Sequence, residues 1–248
     1  MVYTNEILTL AVEIGDSMLR NGAEIYRVED TVVHILKSYE VKEFDVYVIS
    51  NGIFASANEN QEDACSIVRH VPLGSVNLGK ISALNQLARD ICEHKISLID
   101  SWEELERCQN LPNYPNSLLV FFCGLGSAGF CYLFGGSALD SLFTFGIGIL
   151  EQLLLFALKK YKFSKIITNI FASLFVTLLA MLCMLTNLNL LQDKIIIGAI
   201  MPLVPGIAFT TAIRDIYNAD YLSGTIHLLD ALITAICIAV GAVCHSSL

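Results

Sequence analysis

Beyond Ser117 the chain carries five stretches, each of about twenty residues and nearly free of charge, and they limit its fold more than any other feature. They run over about 117–134, 138–158, 166–186, 195–213 and 225–244. Each is long enough to cross a hydrocarbon core as a helix. Buried helices of a large soluble core are the alternative, but so many apolar helices in so short a segment leave little polar surface to cover them. Composition agrees: 54% of the residues are hydrophobic and 16% charged, where soluble domains average roughly 45–50% and about 25%.

Charge divides the chain in two. Residues 1–116 hold 18 of the 24 acidic residues and 9 of the 15 basic ones, while residues 117–248 hold 6 of each. The whole net charge of −9 therefore belongs to the first half. An acidic domain has no electrostatic reason to seek nucleic acid, which needs clustered Lys and Arg. The expected fold class is an α-helical membrane protein with five transmembrane helices, preceded by a small α+β cytoplasmic domain. The boundary falls at "LPNYPNS" (111–117), giving domains 1–116 and 117–248.

Within the first half, Ile7, Leu10, Ala11, Ile14 and Met18 recur at helical spacing and Asn21-Gly22 supplies a stop. A second helix is expected from Glu24 to about Tyr39. "FDVYVIS", "GIFASA" and "ACSIVRHV" are β-rich runs parted by Asn51-Gly52 and by the polar stretch 58–63, so a hairpin is expected. "NLGKISALNQLARDICEHK" is helical again, and Ser101 with Glu104 reads as the capping box of a last short helix. The amino terminus has no basic n-region and reads as amphipathic rather than as a signal peptide.

Loop charge sets the expected orientation. Lys159, Lys160, Lys162 and Lys165 lie between spans two and three and Arg214 between four and five, whereas the opposite side has only Lys194. The positive-inside rule then places the first domain in the cytoplasm and the carboxyl terminus outside, in a multi-pass protein of the cell membrane. The eight cysteines form no C-x-x-C pair and no zinc spacing with the histidines, which suits reduced thiols. No pattern calls for a cofactor or a metal.

Ionisable groups at membrane depth are costly, so each is a functional candidate. Asp140, Thr144, Gly148 and Glu151 fall on one face of span two. Asn169, Ser173 and Thr177 share a face of span three, and His227, Asp230 and Thr234 a face of span five. Ser, Thr and Asn stripes also serve simply as glue between helices, but packing alone does not require a carboxylate. Glu151, Asp230 and Asp140 are therefore the proton-coupling candidates.

Span four is broken by Pro202 and Pro205, which free the carbonyls of Gly198 and Met201, with Gly206 beside them. Such backbone must be buried in protein or line a cavity, and discontinuous helices build the midplane sites of many transporters. Pro202, Pro205, Gly206, Thr210 and Asn169 are the substrate-pathway candidates; a packing kink is the plainer alternative. Arg214, Asp215 and Asp220 follow at the inner end, where they pair with one another or meet substrate.

"GAEIYRVEDT" (22–31) and "MPLVPGIAFTTAIRDIYNADYLSG" (201–224) resemble the two most characteristic stretches of the threonine/serine exporters. "SNGIFAS" followed by "IVRHVPLGSVNLGKISALNQLARDI" is similar to the pattern between them, so the resemblance spans essentially the whole chain. It implies proton-motive-force-driven export of small amino or carboxylic acids: threonine and serine, or a dicarboxylate such as succinate. It also implies the larger subunit of a split pair, whose partner is a small five-span membrane protein completing an inverted repeat, in a higher oligomer. Glu24 and Arg27, on residues alone a solvated helix start, gain a candidate role at the inner mouth. A membrane-anchored regulatory or scaffolding module is the rival class. A hydrolase is a third, for which Ser17, Ser50 and Ser66 lack a nucleophile setting.

Overall fold

The computed structural model describes residues 2–58, 64–72, 74, 76–112, 114–161, 163–186 and 188–243. Lys162, Cys244 and most of the polar stretch after β2 lie outside them. The chain forms two compact units, Met1–Asn113 with Arg214–Ile226, and Tyr114–Ile213 with His227–Leu248.

The first unit is α+β. Helices α1 (Val2–Arg20) and α2 (Ile25–Ser38) precede strands β1 (Glu43–Ile49), β2 (Gly52–Asn58) and β3 (Ala64–His70), then α3 (Leu78–Cys92) and α4 (Leu98–Gln109). The strands form an antiparallel meander in the order β1-β2-β3. All five of the helically spaced residues noted for α1 are buried in the core, with Val28, Val32 and Ile35 of α2 and Ile53, Ala55 and Ala57 of β2. Period-two burial on β2 and period-3.6 burial on the helices thus converge on one apolar layer.

Two local expectations shift. Ile49 pairs with Gly52, so the hairpin turn is Ser50-Asn51 and Gly52 already belongs to the strand. The cap of α4 is Ser97, whose hydroxyl accepts from Asp100 N, one turn before the Ser101 expected from sequence. Ser101 is instead inside the helix and donates to the Ser97 carbonyl at 2.7 Å.

The second unit is helical. α5 (Asn116–Leu133), α6 (Ala138–Lys160), α7 (Lys165–Met184) and α10 (Tyr221–Val243, its first turns grouped with the other unit) are long and apolar enough to cross a membrane. Between α7 and α10 lie α8 (Gln192–Ile200), a 3₁₀ turn (Met201–Leu203) and α9 (Gly206–Tyr217). The segments Gln192–Leu203 and Gly206–Tyr217 are bent by 58° at the break, so the candidate membrane spans among the described residues number four, or five if the bent pair is one span. Apolar side chains such as Phe122, Leu133, Leu153, Phe171, Leu182 and Ile236 lie on the outside, as a lipid-facing surface requires.

α5 and α6 approach closely because glycine faces glycine. A Cβ at Gly148 would lie 2.6 Å from Ser127 Oγ and 3.1 Å from Gly124 Cα, and one at Gly124 would lie 2.8 Å from the Phe145 carbonyl oxygen. α8 meets α5 in the same way, since a Cβ at Gly198 would lie 2.6 Å from Cys131 Cβ. Small residues at helix contacts are how membrane helices gain packing without a hydrophobic driving force between them. Gly146, two residues from Gly148, has nothing within 4 Å of its Cβ position.

G148A is therefore expected to lower the thermal midpoint of the purified protein, with an overpacking cost of about 1–3 kcal/mol. G146A in the same helix should leave it unchanged or raise it, by roughly 0.5–1 kcal/mol of helix propensity. Melting both variants in one detergent compares the two directly, and equal midpoints would contradict the close α5–α6 contact.

Candidate functional site

The polar face of α6 is buried along its length: Asp140, Thr144, Gly148 and Glu151 all point into the unit. α5 contributes Gly124, Ser127 and Cys131, and α7 contributes Asn169, Ala172, Ser173, Val176, Thr177 and Ala180. The three helices thus turn their small and polar stripes inward and their Leu and Phe residues outward. This inverts the usual soluble pattern, as burial inside a lipid-bathed bundle allows.

The hydroxyls of this face are largely satisfied within their own helices. Thr144 Oγ1 donates to the Asp140 carbonyl at 2.7 Å, Thr177 Oγ1 to the Ser173 carbonyl at 2.9 Å, and Ser173 Oγ to the Ile170 carbonyl at 3.1 Å. Such back-bonding lets hydroxyls sit in an apolar bundle at little cost.

The three candidate carboxylates have different surroundings. Asp140 is fully buried and forms the capping box of α6 with Ser137. One of its oxygens accepts from Ser137 N at 2.8 Å and the other from Leu191 N at 2.9 Å. It therefore fastens the residue before α8 to the start of α6. Asp230 of α10 accepts from Lys165 Nζ of α7 at 2.6 Å in a part-exposed ion pair. Glu151 is fully buried, and neither of its oxygens has a hydrogen-bond partner among the described residues. A buried carboxyl left without partners is costly and rare in folded proteins.

The broken span lies close by. Leu203 of the 3₁₀ turn clusters with Ala172 and Ile238, and Leu155 and Ile200 pack against this cluster. Leu155 is one turn on from Glu151. Pro202 stands in the 3₁₀ turn and Pro205 immediately before α9. The carbonyl of Met201, expected to be freed by Pro205, accepts from Val204 N at 3.1 Å, because the tighter turn supplies a new donor. Gly206 opens α9, and its φ is not positive, so the break does not use the freedom of glycine there. Thr210 is exposed and its hydroxyl donates back to the carbonyls of Gly206 and Ile207, at 3.1 and 3.0 Å. Asn169 is buried on α7.

The inner-mouth candidates come together only in part. Glu24 precedes α2 without capping it, and its carboxylate instead accepts from Arg27 Nε at 2.9 Å and pairs with Arg214. Arg214 was expected to pair with Asp220 or to meet substrate, but Asp220 accepts from Ser223 N at 3.3 Å at the start of α10. Asp215 is buried.

Sequence reasoning passed over Ser127, which is fully buried with no partner for its hydroxyl among the described residues. Its signal was present: Gly124, Ser127 and Cys131 stand at i, i+3 and i+7, one face of α5. In "CGLGSAGF" that face is hidden among other small residues.

The model of the threonine/serine exporter family matches residues 9–248. The comparisons with curated proteins and with solved structures return no match.

Asp140 holds two backbone donors, so D140A should lower stability by about 1–3 kcal/mol for each N–H left without an acceptor. D140N, which keeps one carbonyl oxygen, should lose less. Thermal melts of the two variants check the order, and D140A melting with the wild type would remove Asp140 from its fastening role.

Proposed function

Because the chain belongs to the threonine/serine exporter family, we propose that it drives amino-acid export with Glu151 as the carboxyl that takes up and releases the coupling proton. The family is one of membrane transporters, not enzymes, and its apolar helices make the chain a multi-pass membrane protein. The observation that carries the proton role is the complete burial of Glu151 with both oxygens unbonded. A structural carboxylate would be held as Asp140 is, by donors, or as Asp230 is, by a lysine. An intramembrane carboxyl with neither is suited to gaining and losing a proton as its surroundings change.

The broken helix supports a substrate path in the same bundle. Pro202 and Pro205 interrupt it beside Leu203, whose apolar cluster is also packed by Ile200 and by Leu155, one turn from Glu151. A hinge there can move the wall of the bundle without breaking a regular helix. Asn169 faces this interior from α7, whereas Thr210 is committed to its own backbone and serves the helix rather than the substrate.

In this reading the amino-terminal unit is cytoplasmic and the end of α10 faces out. Lys159, Lys160 and Lys165 flank the α6–α7 turn and Arg214 ends α9, as the positive-inside rule favours for cytoplasmic loops. The chain works with a small five-span partner of opposite orientation, which would complete an inverted repeat.

The test is efflux of labelled serine, threonine and succinate from liposomes holding the chain and such a partner, with and without a pH gradient. Serine or threonine efflux should follow the gradient, E151Q should fall to the level of empty liposomes, and D230N should keep its dependence on the gradient. Wild-type, gradient-dependent efflux by E151Q would remove the carboxyl from the proposal.

A further inference from the structure

Among the described residues of the helical unit, two side chains are fully enclosed with nothing to bond: Glu151 on α6 and Ser127 on α5. They line the same seam. Gly148, three residues before Glu151 on its face of α6, is the point at which Ser127 Oγ comes against that helix, 2.6 Å from where a Cβ would stand. The two orphaned groups therefore belong to one helix contact, walled by Gly124 and Gly148. They do not bond each other.

A carboxylate and a hydroxyl with unused lone pairs offer a set of acceptors, and the ligand they ask for brings several donors and a positive charge. We infer that this seam receives the ammonium group of the exported amino acid, with Glu151 as its counter-charge and Ser127 as a further acceptor, and that ammonium and coupling proton compete for the one carboxylate. The inference rests on the exporter reading above and adds to it the part of the substrate that the site recognises. An ammonium has three N–H donors, which the two carboxylate oxygens and the hydroxyl can take. A bare metal cation would need about six oxygens, and the rest of the seam offers mainly glycine. Of the nearby hydroxyls, Thr144 already donates to its own helix.

Few other ionisable groups act on Glu151. α5 presents the Cys123 thiol within electrostatic range of it. On α7, Lys165 is engaged by Asp230, and on α8, Lys194 is engaged by Asp193. Cys183 of α7 packs with the apolar cluster around Ile147, Val176 and Ile195. On α6 itself, Asp140 is held by two backbone donors. Among the described residues no cation pairs with Glu151, so in this inference the positive charge arrives with a ligand or as a proton.

The exchange follows from charge alone. The carboxylate holds the ammonium while ionised; a proton arriving on it makes a neutral carboxyl, and the ammonium loses its counter-charge and leaves. No bond other than O–H forms or breaks. One group that cannot serve both occupants at once couples proton entry to substrate exit. A dicarboxylate brings no donor to this seam and gains nothing from Glu151.

Binding of labelled L-serine to the purified complex with its five-span partner tests this, together with pH measurement in weakly buffered solution. Serine binding to the wild-type complex should release a proton and weaken as the solution is acidified. Ethanolamine, which has the amine alone, should displace labelled serine, and 3-hydroxypropionate, which has the carboxylate alone, should not. S127A should bind serine more weakly with an unchanged melting temperature. Binding without proton release, or displacement by 3-hydroxypropionate and not by ethanolamine, overturns the inference. E151Q that loses gradient-driven efflux but binds serine as the wild type does at every pH also overturns it, while leaving the proton role of Glu151 intact. E151Q that keeps wild-type efflux fails the exporter reading itself.

Discussion

The constraint on which the helical unit depends is that hydrocarbon offers no hydrogen bonds, so every polar group in it must find a partner inside the protein. The chain meets that demand almost everywhere, its hydroxyls mostly within their own helices. Thr144, Ser173 and Thr177 donate to carbonyls of their own helices, Asp140 takes up the donors of Ser137 and Leu191, and the Met201 carbonyl is recovered by Val204 N. Against that background the exceptions carry information. Glu151 and Ser127 are the enclosed side chains of this unit that the described structure leaves without a partner, and they share one helix seam.

Glycine makes the seam possible. Gly124 and Gly148 let the α5 and α6 backbones approach so closely that a single methyl group would collide, and Glu151, one turn further along the same face of α6, is fully buried. The same geometry leaves no side chain between Ser127 and the α6 backbone at Gly148. Packing, electrostatics and the proposed exchange thus rest on one contact. The bend at Met201–Gly206 lies beside it, since Leu203 belongs to an apolar cluster against which both Ile200 and Leu155 pack.

Features carried by composition and period were legible in the sequence. Helices α5, α6, α7 and α10 lie where the hydropathy is high, whereas the fourth apolar stretch holds two helices bent by 58°, and spacing on α6 put Asp140, Thr144, Gly148 and Glu151 on one buried face. Features that depend on long-range partners were not. The bond from Leu191 N to Asp140 joins residues 51 apart, and no local pattern announces it. The pairing of Arg214 with Glu24 is remoter still. The rescue of the Met201 carbonyl depends on how tightly the chain turns after Pro202, which proline content alone does not specify. Thr210 illustrates a further limit, since a hydroxyl one turn past a break looks equally available to a ligand and to its own helix. Ser127 was hidden because small polar residues in apolar spans serve most often as helix glue.

The central claim is that Glu151 alternates between a proton and the substrate's charge, and infrared difference spectroscopy on the reconstituted complex tests it most directly. Adding L-serine at acidic pH should remove the carbonyl stretch of one protonated carboxyl, and E151Q should lack that band before serine is added. A serine-induced loss of the same band in E151Q, or no change in the wild-type protein, would contradict the account.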